Sequence, residues 1–197
     1  MKKTFKIALL ILVAGLLAAY FLAPFGKSGI DDKKSVEYSM QINVSRDSAW
    51  KYLSNSNSAR EWSVFVHHIS TLNATEVPDG KPGSKRRCFC REDETGRRWD
   101  EQILSVQQDS FRTISIENMV KFPMTANHLE TQQIYKSISE NKCEITLRLY
   151  YIGNNFSFWD GLKTRAAAYT IQSIFRRNLE NMKEILEGRK RKYEWKE

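Results

Sequence analysis

CEITLRLYYI (residues 143–152) and WDGLKTRAAAYTIQSIFRRNLENMKEILE (residues 159–187) stand almost end to end, and their two periods decide the fold. In the first, Cys143, Ile145, Leu147, Leu149 and Tyr151 recur at every second position, which puts them on one face of a strand. In the second, Ile171, Ile174, Phe175, Met182, Ile185 and Leu186 follow the i, i+3, i+4 spacing of a helix with one apolar stripe. Ser157 with Asp160 forms a weak capping box ahead of that helix, and Gly188 suits its stop. A half-buried strand and a long one-faced helix each need an apolar partner. Together they predict a helix that covers the sheet to which the strand belongs.

The same alternation recurs upstream. VEYSMQINV (residues 36–44) places Val36, Tyr38, Met40, Ile42 and Val44 on one side. Ser45 or Asp47 can cap a following helix that turns Ala49, Trp50 and Leu53 inward. The run from Ser54 to Ser58 breaks it, and a second short helical piece passes through Ala59, Trp62 and Val64. Strand-like runs follow at Val66–Thr75, Lys85–Arg91, Arg98–Val106, Arg112–Val120 and Asn127–Ser139. Turn signals at Pro78–Gly83, Asp93–Gly96 and Glu140–Lys142 separate them, and Pro123 interrupts. The order is one strand, two short helices, six strands and a long helix. It predicts an α+β domain in which a curved antiparallel sheet of about seven strands meets the terminal helix. Where facing side chains do not fill the space between them, a concave apolar cavity remains, the usual setting for a small ligand.

The first residues are of another kind. IALLILVAGLLAAYFLAPFG, from Ile7 to Gly26, carries no charge. A helix needs about 20 apolar residues to cross a bilayer. A cleaved signal peptide has a shorter apolar region and an A-x-A-like site, and no such triplet ends this one. The expected organisation is an N-terminal transmembrane anchor over residues 1–26, a linker over 27–35, a domain over 36–188 and a basic tail over 189–197. Lys2, Lys3 and Lys6 precede the span; Lys27, Lys33 and Lys34 follow it. The small asymmetry favours a cytoplasmic N-terminus and an extracytoplasmic domain.

The net charge is +8. Basic residues gather at Lys85, Arg86, Arg87, Arg91, Arg97 and Arg98, and again from Arg189 to Lys192. They read as a solvated surface and a frayed end, or as contacts to anionic lipid headgroups beside the anchor. An extracytoplasmic domain counts against nucleic acid. Cys88, Cys90 and Cys143 are too few and odd in number for a disulfide framework. They read as buried thiols, with a Cys143 bridge as the alternative if its strand lies beside the others. No zinc-site spacing occurs, and no metal or cofactor is expected.

Three stretches carry a likeness to a known group. They are Ile42–Leu53 (INVSRDSAWKYL) with Glu61-Trp62, then Pro82-Gly83-Ser84 with Trp99–Ile103 (WDEQI), and the terminal helix through Asn178–Glu187 (NLENMKEILE). In these the chain resembles the helix-grip, START-related SRPBCC superfamily, which includes polyketide cyclase/dehydrase-like and lipid-transfer proteins. The resemblance spans nearly everything after Ser35. It implies a fold and a pocket, and no particular reaction.

Candidate site residues follow from the faces. Trp99, Glu101 and Ile103 share one face of a strand, and Leu147 and Leu149 one face of another. Ile174, Phe175 and Asn178 lie on the helix stripe. If that strand face is inward, Glu101 enters apolar space and its pKa should rise. Otherwise Asp100, Gln102 and Leu104 face inward and Glu101 is solvated. Asn178 interrupts the stripe, either as a tie to backbone or as a polar contact to a ligand. Trp62 and Trp99 suit core positions. His67 and His68 point to opposite faces, and no nucleophile–base pair can be located. The leading expectation is a membrane-tethered binding or transport module for a hydrophobic or lipid-like molecule. The alternatives are a cyclase-, dehydratase- or hydrolase-type enzyme using the same cavity, and a protein-interaction domain whose cavity is filled.

Overall fold

A computed structural model describes residues 2–27, 34–122, 129–151 and 158–194. The elements are α1 (Lys2–Phe21), β1 (Gly26–Lys27), β2 (Lys34–Ile42), α2 (Arg46–Leu53), a 3-10 turn (Ser56–Ser58) and α3 (Ala59–Trp62). Then come β3 (His68–Thr71), β4 (Lys85–Phe89), β5 (Arg98–Gln107), β6 (Phe111–Val120), β7 (Leu129–Ser139), β8 (Lys142–Tyr151) and α4 (Phe158–Leu186). This is the helix-grip α+β fold that the periods predict. The cap at Ser157 and the start of a strand at Asn127 lie outside the described residues.

All neighbouring strands are antiparallel, in the order β1-β2-β8-β7-β6-β5-β4-β3. Strands β3 to β8 form a meander, and β2 returns to pair with β8. Their register sets Val36 against Leu149, Tyr38 against Leu147, Met40 against Ile145 and Ile42 against Cys143. The apolar alternation of both strands therefore coincides on one face, which a one-residue slip would destroy. Helix α4 lies across that face, and Leu179 and Met182 are fully buried there with Ile42, Cys143 and Ile145. Phe175, Ile185 and Leu186 pack on the same cluster. The Ser45 hydroxyl accepts from the Ser48 N–H and caps α2, as its residue type predicts.

The structure departs from the sequence reading at both ends. Helix α1 begins within the lysines and stops at Phe21, ahead of Pro24, which has no N–H and disfavours helix in the residue before it. Residues Gly26 and Lys27 pair with Ser35 and Lys34, so the sheet reaches into the stretch read as linker. The Phe25 ring meets Tyr151 edge-on at 5.1 Å. At the other end, the tail is not frayed through residue 194. Asn181 is fully buried, and its Oδ1 accepts from the Lys192 and Tyr193 N–H groups at 3.0 and 2.8 Å. Its Nδ2 donates to the carbonyls of Trp62 and Tyr193 at 3.1 and 2.9 Å.

Thr4–Phe21 of α1 has a mean hydropathy of 2.1 with none of it buried, long and apolar enough to cross a membrane. The three cysteines are free and buried. Strands β7, β6 and β5 stand between Cys143 on β8 and Cys88 on β4, which rules out the Cys143–Cys88 bridge.

Candidate ligand cavity

The sheet and α4 do not close on each other everywhere. Between them lies a cavity of about 280 Å³, close to the lower end of small-molecule sites at roughly 300–1,000 Å³. Strand β6 contributes Ile114, Ile116 and Met119; β8 contributes Leu147 and Leu149; α4 contributes Ile171, Ile174 and Phe175. Trp62, Phe65 and Trp99 add aromatic wall. Trp99 stacks on Phe65 at 5.3 Å and meets Phe122 edge-on at 5.5 Å, arrangements that suit the aromatic quadrupole. The strand residues among them are inward-facing and those of α4 lie on its apolar stripe, so the cavity is a product of the same patterns that make the core.

Charge enters this wall at Arg86, Arg97, Glu101 and Arg112. Arg86 on β4 stands opposite Glu101 on β5. Its Nε donates to Glu101 Oε2 at 2.7 Å, its Nη2 lies 2.6 Å from the same oxygen, and its Nη1 donates to the Ser56 hydroxyl. Trp99 Nε1 donates to Glu101 Oε1 at 2.9 Å. Both carboxylate oxygens are therefore engaged. Burial pushes the Glu101 carboxyl up, but the Arg86 charge and the bonds from Trp99 and Arg86 outweigh burial and hold it below the usual carboxylate range. An inward Glu101 in apolar space alone would carry a raised value. The difference is the arginine across the ladder, whose partner cannot be seen without the register.

Arg112 on β6 is the second buried arginine of the wall. Its Nη2 donates to the Leu53 carbonyl at 3.2 Å and to Gln133 Oε1 at 2.8 Å, and its Nη1 to the Ser54 carbonyl at 3.4 Å. Burial, then the nearby Arg86 charge, pulls Arg112 below the ordinary arginine value. Sequence reasoning missed Arg112 and Gln133. A lone arginine at the start of an alternating run reads as a solvated edge, and only the pairing of β6 with β7 sets Arg112 opposite Gln133.

Of the residues expected at the site, Trp99, Glu101, Leu147, Leu149, Ile174, Phe175 and Asn178 line this cavity. Ile103 does not. It shares their face but has zero exposure, so none of its surface reaches the space, and its backbone bonds Gly83 and Ser84. Asn178 is 3% exposed, and its Oδ1 accepts from the Val64 N–H at 2.9 Å. The amide thus ties α4 to the segment after α3 while bordering the cavity. Trp62 and Trp99 are buried as well as cavity-lining.

Two of the three basic residues of β4 are already engaged. Arg86 is internal, and Arg87 pairs with Asp100 at 2.6 Å. In the tail, Arg189 pairs with Glu184 and Glu187, and Lys192 with Glu180. His67 and His68 bond each other through Nδ1 at 3.2 Å, away from the cavity wall. Among the described residues, no group of three or more His, Cys, Asp or Glu side chains could hold a metal ion.

Residues 33–187 match the family model for polyketide cyclase/dehydrase and lipid transport. No curated protein matches the chain. Among solved structures, the chain is similar to a START superfamily protein from Mycobacterium smegmatis, with a TM-score of 0.56 and 12% identity over 77% of this chain and 98% of that one. It is similar to truncated norcoclaurine synthase from Thalictrum flavum, with a TM-score of 0.57 and 10% identity over 80% and 96%. It is also similar to the protein XoxI from Bacillus cereus, with a TM-score of 0.55 and 16% identity over 78% and 96%. At these identities the likeness is one of fold.

Proposed function

The chain belongs to the polyketide cyclase/dehydrase and lipid transport family, and on that premise we propose that it is a membrane-tethered binding module for a hydrophobic or lipid-like small molecule. The observation that carries this reading is the apolar cavity under α4. Helix α1 would hold that cavity within reach of the bilayer, a source of apolar ligand. The Tyr169 hydroxyl donates to the Ala19 carbonyl at 2.8 Å, and the Arg165 guanidinium lies 4.0 Å from the Tyr20 ring centre. These contacts join the end of α1 to α4 beside Ala167, Thr170 and Ile171, where α4 begins to border the cavity. The lysines ahead of the uncharged run favour a cytoplasmic N-terminus with the domain on the other side. Trp99, Leu147, Leu149, Ile174, Phe175 and Asn178 are the proposed ligand contacts, with Glu101 at the polar end. The carboxylate of Glu101 is ionised and already engaged by two donors, which supports binding over acid catalysis at this wall.

Native mass spectrometry of the detergent-extracted full-length chain tests the reading. The expected result is a small apolar molecule retained on the 23.0 kDa chain, and its loss when Ile174→Trp fills the space. A wild-type chain that carries nothing, and takes up no added apolar compound, would sink the proposal.

A further inference from the structure

The buried part of the cavity wall has one positive charge too many; Arg97, which also lines the cavity, is exposed. Its buried wall holds two guanidinium groups, Arg86 at 5% exposure and Arg112 at 4%, against the single carboxylate of Glu101. Arg86 takes that carboxylate for itself through Nε and Nη2. Arg112 has no acidic side chain within ion-pair distance among the described residues. Its partners are two carbonyls and an amide oxygen, all neutral. The Leu53 and Ser54 carbonyls end α2, where the helix dipole favours a cation, and so offset part of the desolvation. A guanidinium has five N–H donors. Three bonds are made, and Nε, with one hydrogen of Nη1, has no partner among the described residues. Arg112 is one of the residues that line the cavity.

A buried cation without a counter-charge is costly, and truncating nearby groups would make it costlier. The same cation becomes an asset when a ligand brings the missing charge, because a charge-assisted bond is strongest in a low-dielectric, water-poor site. Most of the remaining wall is apolar, from Ile114 and Ile116 on β6 to Ile171, Ile174 and Phe175 on α4. We propose that the ligand is an amphipathic acid, an apolar body carrying one carboxylate, with the carboxylate on Arg112 and the body along Ile114, Leu147, Ile174 and Phe175. This rests on the binding reading above and adds the ligand's chemical class and its orientation. Gln133 stands between the two roles. It accepts from Arg112 and from the Tyr135 hydroxyl at 3.2 Å, so a carboxylate there would keep both bonds and neutralise Arg112 from within.

The test compares decanoate with 1-decanol, which share an apolar body, on the full-length chain in detergent by native mass spectrometry. The wild type should prefer decanoate by about tenfold or more, the range of one charge-assisted bond. In Gln133→Glu the internal carboxylate competes with the ligand's, and the decanoate-to-decanol ratio should fall by about tenfold. Arg112→Gln should lower the same ratio, and thermal melts check that each variant folds. If one variant does not fold, the wild-type ratio and the other variant still decide. Equal binding of acid and alcohol in the wild type, unmoved by Gln133→Glu, would overturn the head-group assignment and leave the binding reading standing. Binding of neither compound would remove both. Arg112 would then be only a cap on α2.

Discussion

Glu101 shows how one residue's neighbours reverse the effect of its burial. Its carboxyl titrates below its unfolded value because Arg86 and Trp99 stabilise the charged form more than burial penalises it. Between those two values the unfolded chain binds more protons than the native one, so stability rises with pH there. The contribution is complete above the unfolded value, at about 4.3, and is lost as the pH falls through the lower native value. Replacing Glu101 with Gln keeps the shape and removes the charge, which leaves Arg86 buried without a carboxylate. At pH 7 this should cost about 3–5 kcal/mol. The gap to wild type should narrow as the pH falls below the unfolded value, because the unfolded wild-type carboxyl then takes up protons that the native one does not. Urea melts at stepped pH measure it. A gap of the same size at pH 3 and pH 7 would show that the carboxylate is not what holds Arg86.

At the scale of elements, α4 is fixed by two amides with different duties. Asn178 makes one described bond, to the Val64 N–H, and borders the cavity. Asn181 fills its whole hydrogen-bonding capacity, two donors and two acceptors, and joins α4 to Trp62 and to the returning tail. Replacing Asn181 with Ala should therefore cost about 3 kcal/mol or more, since several buried backbone groups lose partners. Asn178→Leu orphans one N–H and should cost about 1–3 kcal/mol. Melts of the two variants rank them, and an Asn181→Ala chain as stable as wild type would mean the tail contact is dispensable. The sequence made the strands and α4 legible because period 2 and period 3.6 are local. Cys143, Ile145 and Leu147 declare their face without knowledge of any partner strand, and the apolar side of the cavity follows from them. Arg86, Arg112, Gln133 and Asn181 carry no such signal. Their roles come from pairings between strands distant in sequence, from the end of α2 meeting β6, and from a tail that folds back. For the same reason Ile103, in phase with Trp99 and Glu101, was expected in the wall and lies sealed behind it.

At the scale of the whole molecule, the question is where the apolar N-terminal run ends and the domain begins. The apolar run continues to Gly26, but the helix stops at Phe21, and the last residues of the run belong to the domain. Phe25 packs with Val36, Leu129, Leu149, Tyr151, Ala168 and Ile171, and Gly26 extends the sheet beside β2. Two deletions therefore differ in outcome although they remove almost the same hydrophobic stretch. Removing residues 1–21 should move the chain from a carbonate-resistant membrane pellet to the soluble fraction with its fold intact. Removing residues 1–27 should release it as well, but with Phe25 and the β1 pairing gone. Losing a partly buried aromatic contact should then cost about 1–2 kcal/mol. For a domain of this size that lowers the melting temperature by roughly 2–8 °C. Fractionation followed by melts of the two released chains separates anchoring from packing. Equal melting temperatures would place the domain boundary after Lys27, and a full-length chain that stays soluble without detergent would remove the anchor.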